Sequence, residues 1–497
     1  MNNISSGQDL YHDIFGSVLD RIDMTPYLLL KTYNYATALR QATKIMGNRG
    51  FDALGGDDLE PAEKERAVKY IREAYRYCFN FLFPSLKVQL NRLEALNSLN
   101  CQVYRNCLQA IAAIELILEN REFRDIVFED PRHLFLMASS IKYPHVFHGF
   151  KDKNMDVAPD WQQTACSILK VAYLVKSIEE DSQDINDYGQ LGLFFEIKGQ
   201  GLHNLYNYDW QTPPYIPESD AAQRAFVKIS TFFLKLKELV SYDISKGSLV
   251  FKSGDGVEVD IVSIESRLKS PNSMFTKLGV NIEGEAHSIR DILAITFILK
   301  NRDDTLMLFH ALQKRGVILQ ENTLSQTITQ TLFDSPESMV NAVKKLILSL
   351  AKSEGRGEIP ADVELTGYAR NFYEALSINA AKNPYSAMGH NKFQCKLNIS
   401  IPIHRSAATN KIIIPGTAEF LERNRIDKKT EQHTLALELR ISDEHSWLLS
   451  EQKGDSNHDA YKFRQLVSLM RRVFKNRFYF PEKYVIQLRE DQKKLFL

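Results

Sequence analysis

The stretch Arg267-Leu268-Lys269-Ser270-Pro271-Asn272-Ser273-Met274-Phe275-Thr276-Lys277, with Asp291-Ile292-Leu293-Ala294-Ile295-Thr296-Phe297-Ile298-Leu299 after it, decides how this chain reads. Ser270 is a good helix cap, and Pro271 stands at the first helical position, where a missing N–H costs nothing. Lys269, Ser273 and Lys277 recur at i, i+4 and i+8, so on a helix they share one face. The free N–H groups and the dipole at the entrance of that helix favour an anion near Lys269. The run from Ile292 to Leu299 reads as a buried strand headed by Asp291. Lysines neutralise a compact polyphosphate as point charges, while the planar group of Arg267 can stack on a base or grip two oxygens. A carboxylate at a strand edge suits Mg2+, which keeps waters and takes few protein ligands. Together these features suit a nucleoside triphosphate and its magnesium. Arg-x-Lys alone would not, because short charge motifs recur on solvated helix faces.

Working outward, residues 1 to about 245 read as mostly helix. Ala67, Ile71, Ala74, Cys78 and Leu82 follow helical spacing until Pro84 interrupts it. Cys107, Ile111, Ile114 and Leu118 form a second stripe, and Phe226, Ile229, Phe233, Leu236 and Val240 a third. The texture changes near residue 246. Ser248 to Ser253 and Val257 to Ile264 read as strands around the turn Gly254-Asp255-Gly256. A helix is expected from Asp304 to Gly316, a short strand over Val317 to Leu319, and a helix from Ser335-Pro336-Glu337 to Gly355. Cys395 to Ile403 and Thr434 to Ile441 alternate as strands, and Tyr461 to Phe474 is a basic amphipathic helix. The fold class is therefore α+β: an all-helical N-terminal domain over 1–245, then a mixed-sheet domain with flanking helices over 246–497.

The 497 residues exceed the size at which one core usually stops growing. Lysine plus arginine and aspartate plus glutamate both number 62, so any nucleic-acid or acidic-membrane site must be a local patch. Cys78, Cys101, Cys107, Cys166 and Cys395 are scattered and odd in number, which points to a reducing, cytoplasmic setting. The first residues lack the charged head and apolar run of a secretory signal, and no stretch is apolar enough to span a membrane. Glu438 lies within the apolar run Leu435-Ala436-Leu437-Glu438-Leu439-Arg440, and a charge there needs a partner or a job. It could be a second metal ligand, a general base, or a solvent-facing residue of a half-buried strand.

Four segments, in order, carry a resemblance. Arg267, Lys269, Ser273 and Lys277 match Arg-Pro-Lys-x3-Ser-x3-Lys, and Asp291 with Ala294 matches a strand of the form Asp-x-x-Ala-x-Arg. Asn391-Lys392-Phe393-Gln394, with Asn383-Pro384 upstream, resembles Asn-Gly-Tyr-Gln; Leu435 to Ser442, with His445, resembles Glu-Ile-Gln-Ile-Arg-Thr and the histidine after it. Over about 265–465, some 40% of the chain, the sequence thus resembles the synthetase domain of the RelA/SpoT family. Members transfer the pyrophosphate of ATP to the 3′-hydroxyl of GTP or GDP. The resemblance implies a nucleotidyltransferase-type fold, magnesium, and ATP with GTP or GDP as substrates. It implies that Arg267 stacks on adenine, that Lys269, Ser273 and Lys277 hold ATP phosphates, and that Asp291 binds magnesium. Phe393 would stack on guanine with Asn391, Gln394 and Arg440 beside the acceptor, and Glu438 would serve as second metal ligand or catalytic carboxylate.

This chain also departs from the family pattern. Thr296 replaces the strand arginine, Lys392 the loop glycine, Phe393 the tyrosine, and Leu397 a histidine. Counting back from Arg440 puts Ala436 where the family has its glutamate, with Glu438 two residues on and on the same strand face. Two alternatives therefore stand beside the synthetase. One keeps the fold and changes the acceptor to another nucleotide or a tRNA end; the other is a catalytically silent nucleotide-binding regulator. Arg471, Arg472, Lys475 and Arg477, after Lys462 and Arg464, form a cationic run that is a solvated face or a contact for RNA. Gly199-x-Gly201-x2-Asn204 reads as a loop, because the third glycine of a dinucleotide fingerprint is missing. His145-x2-His148 and His12-Asp13 have no companion ligands, so no metal-dependent hydrolase is expected. The sequence carries no signal for oligomeric state.

Overall fold

The computed structural model describes Ile45 and residues 60–95, 99–129, Pro131, Leu134, 159–180, 183–280, Ile289, 291–324, 327–359, 364–377, 391–415, Thr417, Phe420, Glu422, 424–451, 458–474 and Phe478. His12, Asp13, His145, His148, Asn383, Pro384, Lys475 and Arg477 lie outside them. Helices between residues 61 and 197 precede mixed sheets with helices, so the chain is α+β. Two compact units are built from interleaved segments: 1–181 with 275–286 and 462–495, and 182–274 with 287–461 and 496–497.

The first unit is helical. It contains α1 (Pro61–Tyr77), α2 (Phe83–Ala95), α3 (Cys101–Glu119), α4 (Arg121–Glu129) and α5 (Pro159–Glu180). Ala67, Ile71, Ala74, Cys78 and Leu82 are all buried, as are Cys107, Ile111, Ile114 and Leu118, so both apolar stripes face a core. Pro84 does not end its helix. The path runs through a π-helical turn, Cys78–Leu82, and resumes as α2 with Pro84 at its second residue. A widened turn relieves the clash between the proline ring and the carbonyl four residues back. Gly279 also belongs to this unit. A Cβ there would come 2.3 Å from Leu469 Cδ1 and 3.3 Å from a Leu174 methyl. Gly279→Ala is therefore expected to destabilise this unit by about 1–3 kcal/mol, the usual cost of overpacking, read as a lower denaturant midpoint with an unchanged slope.

The second unit holds α6 (Gln183–Ile197), α7 (Asp220–Leu239) and two sheets. Ser219 caps α7, its side chain accepting from the Ala222 N–H at 3.2 Å, and Phe226, Ile229, Phe233 and Leu236 are buried. A three-stranded sheet has the order β1 (Val240–Asp243), β2 (Ser248–Lys252), β3 (Glu258–Ile261). A five-stranded sheet contains β4 (Ser263–Leu268), β5 (Leu293–Leu299), β6 (Thr329–Gln330), β7 (Phe393–Ser406) and β8 (Lys428–Asp443), in the order β4-β5-β8-β7-β6. Only β5 and β8 run parallel. Every residue of β5 is buried, as its unbroken apolar run predicts for a strand covered on both faces.

Between β4 and β5 lies α8 (Pro271–Val280), whose residues divide between the two units after Met274. Beyond β5 come α9 (Thr305–Lys314), α10 (Pro336–Ser353) and α11 (Leu365–Ser377); α12 (Glu444–Glu451) and α13 (His458–Val473) follow β8. Ser335 and Ser338 form a capping box at the start of α10, where the sequence marks it. The strand expected over Val317 to Leu319 is absent. The N–H groups of Val317 and Ile318 close the end of α9 by donating to the Leu312 carbonyl, and that of Leu319 donates to Asn322 Oδ1 at 2.8 Å. With φ +67° at Gly199, the Gln200 N–H donates to the Phe195 carbonyl at 2.8 Å, so the glycine pattern there is a helix terminator.

Register gives the five-stranded sheet two unlike faces. Leu268, Leu293, Leu437 and Leu397 form one cross-strand row, and Ile264, Phe297, Ile441 and Phe393 another on the same side. Phe309 of α9 meets Phe393 edge-on at 5.1 Å, and Phe251 of β2 meets Phe297 at 6.5 Å. The opposite face carries the rows Arg267, Ala294, Glu438, Lys396 and Glu265, Thr296, Arg440, Gln394. One side is a hydrophobic core and the other a charged floor.

Candidate functional site

The charged floor brings together residues from three strands and two flanking loops. The Lys269 N–H donates to the Ile292 carbonyl at 2.8 Å, which prolongs the β4–β5 pairing past the strand ends. That places Lys269 Nζ 2.7 Å from Asp291 Oδ2, with only 14% and 13% of the two side chains exposed. On the other side of β4, the Leu268 N–H donates to Leu202 O at 2.8 Å and the Asn204 N–H to Ser266 O at 2.7 Å. Residues 202–204 thus cover the edge of the strand that carries Arg267.

Glu438 is buried, and Arg440 Nε donates to its Oε1 at 2.5 Å. The two are alternate residues of β8, so strand geometry alone puts them on the same face. Burial by itself would raise the Glu438 carboxyl. The positive charges of Arg440 and Lys392 override it and hold the group at about 2, while Asp291 pushes the other way. Lys392 shows the converse. Burial, with the repulsion of Arg440 and Arg267, lowers its ammonium to about 7 against the opposing pull of Glu438 and Asp291. Arg267, Asp291, Glu438 and Arg440 therefore all lie within electrostatic reach of Lys392, and Lys269 joins them through Asp291.

Five of the sequence-derived candidates, Arg267, Lys269, Asp291, Glu438 and Arg440, meet in this cluster. Gln394 stands opposite Arg440 in the same cross-strand row. The Asn391 carbonyl accepts from Ser442 Oγ at 3.2 Å, which anchors the loop before β7 to β8. Ser273 takes part in the cap of α8: its N–H donates to Ser270 Oγ at 3.2 Å, and Ser270 Oγ donates to Ser273 Oγ at 2.9 Å. Lys277 lies on the part of α8 that belongs to the helical unit.

Phe393 requires a correction. It is 1% exposed on the apolar face, against Phe309, and cannot stack on a base held by Arg440 and Gln394 on the other face. Strand alternation explains why: β7 already begins at Phe393, so its neighbour Gln394 points oppositely. Thr296, in place of the family arginine, is buried beside Arg440 in its cross-strand row. Ala436 pairs with Asn398, whose Oδ1 is buried without a hydrogen-bond partner.

Two cations were not singled out from the sequence as site residues. Lys396 faces Glu438 across the β7–β8 pairing, and Lys392 sits one residue before β7. The signal for Lys392 was its replacement of a small loop residue by a charge. Its position depends on the β7–β8 register, which composition does not encode.

Among the described residues no group of three or more histidine, cysteine, aspartate or glutamate side chains gathers as a metal site. The two carboxylates of the cluster still fit magnesium, which typically takes one or two protein carboxylates and completes its shell with phosphate and water. Each would first have to exchange a cation partner, Lys269 for Asp291 and Arg440 for Glu438. On α13, Arg464 is buried and Arg472 Nη1 donates to the Val280 carbonyl, so these two members of the cationic run serve packing. All five cysteines are free thiols. No helix of the described residues is long and apolar enough to cross a membrane.

Comparison of the chain with protein-family models, with curated proteins and with solved structures yields no match.

Proposed function

We propose that the charged floor of the five-stranded sheet binds a nucleoside triphosphate with magnesium and transfers its terminal pyrophosphate to a ribose hydroxyl, in the manner of a RelA/SpoT-like synthetase. One observation supports this most: strand register sets Arg267, Glu438 and Arg440 on one face of the sheet, with the Lys269–Asp291 pair at the ends of β4 and β5, although Arg267 and Arg440 lie 173 residues apart. Magnesium, when bound, would neutralise charge on the β- and γ-phosphates. Asp291 and Glu438 would hold it. Lys269 would turn from Asp291 to a phosphate oxygen, and Arg267 would grip the donor nucleotide. Asn391, Gln394 and Arg440 would flank the acceptor, with GTP or GDP the substrates that the resemblance favours. The acceptor hydroxyl loses its proton to solvent as its oxygen forms a bond to the β-phosphorus of ATP, the bond from that phosphorus to the α,β-bridging oxygen breaks, and AMP leaves. A carboxyl held near 2 is a poor proton acceptor at neutral pH, so we assign Glu438 to the metal rather than to proton abstraction.

A second reading, a silent nucleotide sensor, has its own support. Ala436 occupies the position where the family has its glutamate, and losing a general base costs about 10²–10⁴ in rate. Incubation of the full chain with magnesium, labelled ATP and separate acceptors distinguishes the readings. The synthetase predicts AMP and a pyrophosphorylated GTP or GDP. Transfer to another nucleotide or to a tRNA end changes the acceptor, and nucleotide binding without AMP release leaves the sensor.

A further inference from the structure

Asn398 continues the charged floor past Lys396, as the next residue of β7 on that face. Its Oδ1 is shielded from solvent and has no hydrogen-bond partner. The strand pairing explains this. The Asn398 N–H donates outward to the Asn322 carbonyl at 2.8 Å, so Asn398 and Ala436 form a close pair of the β7–β8 ladder with no backbone bond between them. In such a pair the opposite side chain is the first to meet the amide, and here it is only the Ala436 methyl. Lys396 and Glu438, the next pair on that face, leave the oxygen without a bond as well.

An amide oxygen taken out of water without a donor destabilises the empty protein. Leucine has nearly the same shape and would remove that cost. The place of Asn398 in the sheet gives the oxygen a use. Glu438, the proposed magnesium carboxylate, is its diagonal neighbour on β8, about 7–8 Å away by sheet geometry. A nucleotide whose sugar reacts at that metal, with its base beside Gln394 and Arg440, extends its ribose along β7 towards Asn398. The donors that a ribose brings there are its hydroxyls. Asn398 is half-buried, and its amide turns on a broad torsion, so the oxygen can meet such a donor without a change in the strand.

We propose that Asn398 is a specificity-determining residue: its Oδ1 accepts a hydrogen bond from the 2′-hydroxyl of the acceptor nucleotide, so that the site holds ribonucleotides in preference to 2′-deoxyribonucleotides. Which nucleotide lies there rests on the pyrophosphate-transfer reading; the contact to its sugar goes beyond it. The 2′-hydroxyl adjoins the reacting 3′-hydroxyl, so one bond both selects the sugar and orients the attacking oxygen. A 2′-deoxy sugar would leave the amide as unpaired as it is in the empty site, and a site built to bond a hydroxyl rejects the analogue that lacks it.

Equilibrium binding of GTP and of 2′-deoxy-GTP to the full chain, with urea unfolding of the free protein, tests this. The wild type should bind GTP about tenfold or more tightly than 2′-deoxy-GTP, as expected for an oxygen left unpaired. Asn398→Leu, similar in shape and without the acceptor, should bring the two nucleotides to within about twofold of each other. Its urea midpoint should equal or exceed that of the wild type, because an unsatisfied polar group has been removed. A side chain kept for structure alone would move the midpoint the other way. Equal binding of GTP and 2′-deoxy-GTP by the wild type, or binding of neither, overturns the proposal. So does discrimination that survives in Asn398→Leu, or a lower midpoint for that variant, which would reveal a structural partner for Oδ1. These readouts involve no transfer. AMP release without 2′-hydroxyl discrimination keeps the synthetase and removes this inference; discrimination through Asn398 without AMP release does the reverse.

Discussion

Replacing Glu438 by alanine is expected to lower the stability of the sheet-containing unit by about 3–5 kcal/mol, the range for breaking a buried ion pair from one side. Its side chain is only 4% exposed and that of Arg440 15%, so little solvent screens what remains. The cost has a specific origin. Arg440 would face Lys392 without the carboxylate it now bonds at 2.5 Å, and a guanidinium cannot shed its proton. Glu438→Ala combined with Arg440→Met should recover most of the loss, since removing both partners leaves no uncompensated charge. Urea unfolding of the wild type, both single variants and the double variant gives the coupling directly; additive losses would show that the pair does not interact. The pH dependence has a defined sign. Folding depresses the Glu438 carboxyl from its ordinary 4.5 to about 2, so its stabilisation is complete above about pH 4.5 and is lost as pH falls towards 2. Stability of Glu438→Gln should therefore vary less than that of the wild type across this window.

What could be read from the sequence was local, and what could not was long-range. Ser270-Pro271 and Ser335-Pro336 announce helix starts because caps are made by neighbours in the chain, and both helices begin where expected. The unbroken run after Asp291 announces a central strand, because only a strand covered on both faces is apolar at every position. Glu438 could be read as a charge in need of a partner, and the partner is Arg440, two residues away. Phe393 failed on parity. Assigning both Phe393 and Gln394 to one site requires an irregular backbone there, whereas the β6 and β8 pairings draw both residues into a regular strand with opposed side chains. Val317 to Leu319 failed because short apolar runs also close helices. The gathering of Arg267, Lys392, Glu438 and Arg440 depends on the register of β4, β5, β8 and β7, and register between distant strands leaves no mark on either segment alone.

Asp291→Asn should separate architecture from chemistry more cleanly than any other change at this site. The amide keeps the size of the side chain and an acceptor for Lys269 Nζ, which now stands 2.7 Å from Oδ2. A small stability loss, about 1–3 kcal/mol, is expected from weakening one charge-assisted bond. Transfer should fall far more. If Asp291 is one of two protein carboxylates on magnesium, neutralising it removes several kcal/mol of transition-state stabilisation, on the order of a 10³-fold drop in AMP release. Binding provides the decisive contrast. On the proposed reading, magnesium occupying Asp291 would release the charge of Lys269 to a phosphate oxygen and so strengthen nucleotide binding. In Asp291→Asn the bond from Lys269 to this residue runs to a neutral acceptor and is weaker. ATP affinity without magnesium should be equal to or higher than that of the wild type, and the gain on adding magnesium should disappear. A variant that still binds ATP more tightly with magnesium than without, or that releases AMP at the wild-type rate, would remove Asp291 from the metal site; the Lys269–Asp291 pair would then be a structural tie between the ends of β4 and β5.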